Sequence, residues 1–110
     1  MYLYNSAHML GFLAMKPSHA FHANRAAIRS VVERHRACNV RVFGSVLHGD
    51  DVEGGDLDLL VDPLQQTTLM DISAIQVELE RMLGVPVDVL TPKALPESFR
   101  IAVLAEAEPV

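Results

Sequence analysis

The chain has 110 residues and a formal net charge of −5; half of its residues are apolar, only 5% are aromatic, and Cys38 is its single cysteine. A chain of this size buries about 65% of its unfolded surface, enough for one core made of aliphatic side chains. The acidic balance argues against stable binding of long nucleic acid, a lone cysteine forms no intrachain disulfide, and no run of about eighteen apolar residues is present to span a membrane.

A small phosphorylated ligand held through metal ions stays compatible with this charge, and the cysteine usage fits a cytoplasmic protein. Cys38 itself reads as a small buried hydrophobe. Residues 1–14, MYLYNSAHMLGFLA, lack the basic start of a secretory signal and are expected to be an upstream extension or expression remnant ahead of a native start near Met15.

In chain order, Ser18 is placed to cap a helix running to about Arg36, with Ala23, Ala27, Ile28, Val31 and His35 at helical spacing. The stretch NVRVFGS alternates Val40 and Val42 against Arg41 and Phe43 and ends in a Gly-Ser turn, the pattern of a strand entering a loop. A second strand is expected at about Leu57 to Val61. From Thr68 to Leu83 a stripe of Leu69, Ile72, Ile75, Leu79, Met82 and Leu83 predicts a helix, with Glu78 and Arg81 outside and Gly84 as its stop. Pro86 to Thr91 reads as a third strand, and Glu97 to about Ala107 as a last helix carrying Phe99, Val103 and Leu104. This order predicts an α/β or α+β fold, a small mixed β-sheet covered by helices, with no room for a second domain.

In a strand, residues two apart share a face, so Asp56 and Asp58 point one way while Leu57, Leu59 and Val61 point to the core. Asp88, in PVDVLT, is expected to do the same on a neighbouring strand, with Val87 and Val89 turned to the helix-covered side. Three carboxylates on one face repel one another, and a hard divalent cation such as Mg²⁺ relieves the conflict. Two such ions suit a phosphoryl-type displacement. Gly44 and Ser45 supply the complementary half: glycine lets the main chain approach a phosphate, and the hydroxyl and backbone N–H groups donate to its oxygens. Asp50, Asp51 and Glu53 are expected to be solvated loop residues, and Asp62 simply to end the strand.

The set Gly44-Ser45, ten residues, Asp56-x-Asp58 and a third-strand Asp88 resembles the nucleotidyltransferase superfamily that includes DNA polymerase beta. From about Met15 to Val110, with RVFGS, DLDLLVD and ELERMLGVPVDVLTP in order, the chain looks like the minimal nucleotidyltransferase (MNT) antitoxins of HEPN/MNT toxin–antitoxin pairs. The resemblance implies a polymerase beta-like minimal nucleotidyltransferase domain over residues 15–110. It implies transfer of AMP from ATP, with Mg²⁺, to a tyrosine hydroxyl of a partner HEPN RNase toxin, which silences the toxin. By the same resemblance Asp56 and Asp58 would ligate the metals, Asp88 would complete the metal site and help accept the hydroxyl proton, and Gly44 and Ser45 would hold the triphosphate.

Two positions depart from the family pattern. Gly55 stands where Ser often precedes the first Asp, and Leu47-His48 occupies a loop that often carries Arg; His48 is either a partial substitute or a solvated loop residue. An alternative reading is a non-catalytic antitoxin that neutralises its toxin by occlusion; transfer to RNA or a small molecule is less favoured on an acidic chain. Among other candidates, His19 and His22 read as a surface helical start rather than a metal pair, and Arg41 as either a phosphate contact or a solvated strand residue. Met70 and Met82 read as core, and Arg25, Arg29, Arg34 and Arg36 as a solvated basic helix side.

Overall fold

The computed structural model describes residues 15–110, so the expectation for residues 1–14 lies outside the described residues. The first helical pattern folds as two helices, α1 (Pro17–Ala23) and α2 (Arg25–Arg34), rather than one. Asn24 makes the break: its side-chain Nδ2 donates to the Ala20 carbonyl at 2.8 Å, the acceptor its own backbone N–H would use in a continuous helix. That N–H turns instead to Phe21 O at 3.1 Å. A short polar side chain thus competes with the backbone and kinks the path. Ser18 is not the cap either; Pro17 takes the first helical turn and Lys16 precedes it with no side-chain cap.

Four strands, β1 (Ala37–Phe43), β2 (Leu57–Pro63), β3 (Val87–Leu90) and β4 (Glu108–Pro109), lie in the order β3-β2-β1-β4. Strand β1 (Ala37–Phe43) begins earlier than the alternation suggested, and its pairing shifts between Cys38 and Arg41 at a bulge where Asn39 adopts a left-handed φ of 53°. Cys38 is half-buried rather than enclosed. A short helix α3 (Gly44–His48) leads through a loop to β2 (Leu57–Pro63), antiparallel to β1. Asp62 lies inside β2 rather than past it, where it accepts from Arg41 at 2.5 Å and Asn39 at 2.7 Å. Arg41 is therefore an internal ion-pair partner and not a solvated strand residue.

Helix α4 (Leu69–Leu83) matches its predicted span, because Thr68 and Asp71 form a reciprocal capping box and Gly84 closes the helix at φ 71°. Its buried stripe is narrower than expected. Ile75, Leu79 and Leu83 face α2 and β3 (Val87–Leu90), whereas Leu69 is 84% exposed. The two methionines also leave the core: Met82 lies on the rim, and Met70 falls on the opposite stripe with Ser73, Ala74 and Val77. Strand β3 runs parallel to β2, and its outer N–H groups at Val87 and Val89 donate to the Glu80 and Gln76 side chains of α4.

After a 3₁₀ turn (Pro92–Ala94) comes α5 (Glu97–Glu106), which buries Val103 while Phe99 and Leu104 stay largely exposed. A two-residue strand β4 (Glu108–Pro109), not evident in the sequence, adds to β1. Arg25 and Arg29 of the basic helix side are not simply solvated: they donate to the Pro109 and Val110 carbonyls, while Arg34 pairs with Glu78.

The result is an α+β fold with one main core between the sheet and α1, α2 and α4, lined by Ile28, Val42, Leu57, Leu59, Val61, Val87 and Val89. The opposite face is divided. Toward α5, Phe43, Leu60, Leu95 and Val103 form a second apolar cluster, so Leu60, which shares the face of Asp58, is fully buried. Toward the start of β2 the same face is uncovered and carries the acidic residues.

Candidate functional site

The site is built where β1 ends and β2 and β3 begin. Register places Asp58 beside Asp88 on the parallel β2–β3 pair and opposite Phe43 on the antiparallel β1–β2 pair. Leu57, Leu59, Val87 and Val89 are all buried on the helix-covered side, which leaves Asp58 and Asp88 only the other face. Asp56 stands just before β2 and is exposed, as is Asp88, whereas Asp58 is half-buried between them.

Gly44 follows Phe43 directly and therefore arrives next to Asp58. Its φ of 74° is a left-handed conformation, and a Cβ there would overlap the Asp58 carboxylate, with Asp58 Cγ only 3.1 Å away. Only glycine admits this approach of backbone to carboxylate. Ser45 sits in the first turn of α3, half-buried, beside it. The two halves predicted from sequence are thus brought together: Gly44-Ser45 against Asp58, and Asp58 against Asp88 with Asp56 at the strand entrance.

Electrostatics record the crowding. The Asp58 carboxyl is pushed up from its ordinary 3.8 to about 6, first by burial, then by the charges of Asp88 and Asp56 and by a hydrogen bond with Asp88 that favours the protonated form. Among the described residues no three His, Cys, Asp or Glu side chains already converge as a cation cage. The donor set nevertheless fits a hard divalent ion: the side chains beside Asp58 are oxygen donors, and their mutual repulsion is the kind a cation removes.

Other candidates resolve differently. His19 and His22 are both exposed, with His22 edge-on to Phe21 at 5.0 Å between ring centroids. His48 turns toward Glu106 at 3.6 Å. Asp51 was expected to be solvated but is buried, 8% exposed, and its Oδ2 accepts the Ser18 N–H at 2.8 Å. Burial works to raise the Asp51 pKa and is outweighed by the hydrogen bonds from Ser18 and the Lys16 charge, which hold it below the ordinary carboxylate value. Nothing local marks Asp51, because its partner is 33 residues away.

A small sheet with a glycine-serine turn delivered onto a row of strand aspartates defines a nucleotidyltransferase fold. Residues 25–109 match the family model of the nucleotidyltransferase domain, and the chain belongs to that family. Within it the chain is of the minimal kind: it superposes with a TM-score of 0.76 on a solved structure described as a "putative minimal nucleotidyltransferase", 42% identical, covering 84% of this chain and 95% of that one. It is 32% identical over 74 residues to the protein adenylyltransferase MntA of Thermococcus cleftensis, covering 67% of this chain and 75% of that protein. A crystal structure of a toxin–antitoxin with AMP-PNP shares the fold at a TM-score of 0.67 and 16% identity, over 78% of this chain and 71% of that one.

Proposed function

We propose that the chain is an adenylyltransferase antitoxin, moving AMP from ATP to a tyrosine hydroxyl of a partner HEPN-type RNase and so neutralising it. The observation that carries this reading is the register of Asp58 beside Asp88 with Gly44 packed against the Asp58 carboxylate. The names of the similar proteins, an adenylyltransferase and a toxin–antitoxin with an ATP analogue, support ATP as substrate and a toxin as partner, while the HEPN type and the tyrosine follow from the sequence resemblance alone.

In this reading Gly44 and the Ser45 hydroxyl and N–H hold the triphosphate tail, where the missing Cβ gives a phosphate room. Asp56, Asp58 and Asp88 are the residues that would hold Mg²⁺, two ions by the family pattern; when bound, the cation offsets phosphate charge and lowers the pKa of the attacking hydroxyl. The acceptor oxygen attacks the α-phosphorus, the bond to the β-phosphate oxygen breaks, and pyrophosphate leaves. In this reading Asp88, which is exposed, would receive the phenolic proton, which at a pKa of about 10 needs help to leave near pH 7. The open face suits an acceptor presented on another protein rather than a small molecule enclosed in a pocket.

The test is intact-mass analysis of the partner after incubation with this chain, ATP and Mg²⁺, with Asp56→Ala/Asp58→Ala as control. AMP-sized increments that vanish in the control are expected. Increments that survive the double substitution refute the site. Neutralisation without increments instead favours occlusion by binding, a second reading that the exposed Leu69, Met70 and Ile101 side chains support.

A further inference from the structure

We propose that Asp51 is a positioning residue for nucleotidyl transfer, tying the loop that joins the two halves of the site to the start of α1. The inference rests on the reading of the site given above. The loop runs from the end of α3, which carries Gly44 and Ser45, to Asp56 at the entrance of β2. Any drift of this loop changes the distance between the phosphate-facing turn and the carboxylates.

The loop has little else to hold it. Its described backbone hydrogen bonds are local: Gly49 N to Val46 O, Asp50 N to Ser45 O, and Gly55 N to Val52 O. Val52, its one large apolar side chain, is 65% exposed. The hydrogen bond from Ser18 N to Asp51 Oδ2 is the described one that leaves the loop for another element.

Its other end is firmly anchored. Pro17 has no N–H, so Ser18 offers the first free donor of the helix, and a carboxylate is the favoured acceptor there. Helix α1 is in turn fixed through Pro17, Ala20 and Phe21, all buried. Core, α1, Asp51, loop and site form one chain of contacts. Asp51 is also the buried charged side chain among the described residues, a placement that costs stability unless fully partnered. A solvated loop has no need of such a residue; a loop that must hold register does.

The test compares Asp51→Ala and Asp51→Asn with wild type in AMP transfer to the partner, and in amide hydrogen exchange. Asp51→Ala is expected to lower kcat by about ten-fold or more, since small displacements at a reacting centre are costly. The KM for the partner protein should not change, and exchange should rise in residues 46–55 but not in α4. Asp51→Asn keeps an oxygen acceptor and should hold kcat to within about two- to five-fold of wild type. A uniform rise in exchange across the chain with kcat intact in the folded fraction would mark a merely structural cap and overturn the proposal. Should Asp51→Ala not fold, Asp51→Asn carries the test: its neutral acceptor, about half as strong, predicts a two- to five-fold loss of kcat with exchange raised only in the loop. No change in either overturns it. A wild-type chain that transfers no AMP removes the underlying reading, and is distinguished from failure of this inference by appearing before any substitution.

Discussion

Replacing Asp58 by Asn should make the protein more stable and inactive at once. Asp58 is half-buried between two other carboxylates, and its pKa moves from 3.8 to about 6 on folding. By proton linkage that shift corresponds to about 3 kcal/mol against the folded state at neutral pH, and partial solvent exposure screens it to about 1–2 kcal/mol. The folded chain binds this proton more tightly than the unfolded one, so the wild type loses stability as pH rises from about 4 to about 6 and stays at the lower level above that. Asp58→Asn lacks the titration. Its advantage should therefore be absent near pH 4 and full by pH 7.5, where the melting temperature should rise by about 4–8 °C. Circular dichroism melts of both proteins across pH measure it, and taking the difference cancels groups that titrate in both. Millimolar Mg²⁺ should narrow the gap by stabilising only the wild type. An Asp58→Asn protein less stable at pH 7.5, or a gap equal at pH 4 and 7.5, would refute the claim that burial, together with the charges of Asp88 and Asp56, disfavours the ionised Asp58 carboxylate in the fold.

Gly44→Ala should cost about 1–3 kcal/mol in denaturant unfolding, from the left-handed backbone and the collision with Asp58, and should lower AMP transfer by at least about 100-fold. Full activity in Gly44→Ala would remove the close approach from the mechanism. Two apolar residues, Leu60 and Met70, should separate. Leu60→Ser, on the carboxylate face but fully buried, should lose about 2–4 kcal/mol, whereas Met70→Glu, 81% exposed in a predicted core position, should change stability by less than about 0.5 kcal/mol. Equal effects in urea titrations would contradict the described packing.

Most of the candidate site's geometry was legible because its signals are local. The alternation around Leu57, Leu59 and Val61 sets which way Asp58 points, and a strand reading of PVDVLT does the same for Asp88. The α4 boundaries were legible for a similar reason, since Thr68 and Gly84 act on their own helix. What escaped depends on contacts distant in sequence. Asn24 breaks a helix whose apolar periodicity runs through it, a competition that periodicity does not register. Leu60 and the exposed Phe99 depend on where α5 docks, and β4 depends on β1 accepting two residues. Asp51 looked like its acidic neighbours because the group it binds is in another helix.

The side chains of Glu80 and Gln76, laid against the outer N–H groups of β3, have a consequence for association. A sheet margin with free donors is a template on which a second chain can grow, the usual beginning of ordered aggregates. Here an incoming strand would first have to evict two acceptors supplied by the neighbouring helix. At the other margin β4 is only two residues long. Growth of the sheet is thus opposed at one margin by those two acceptors and limited at the other by the shortness of β4.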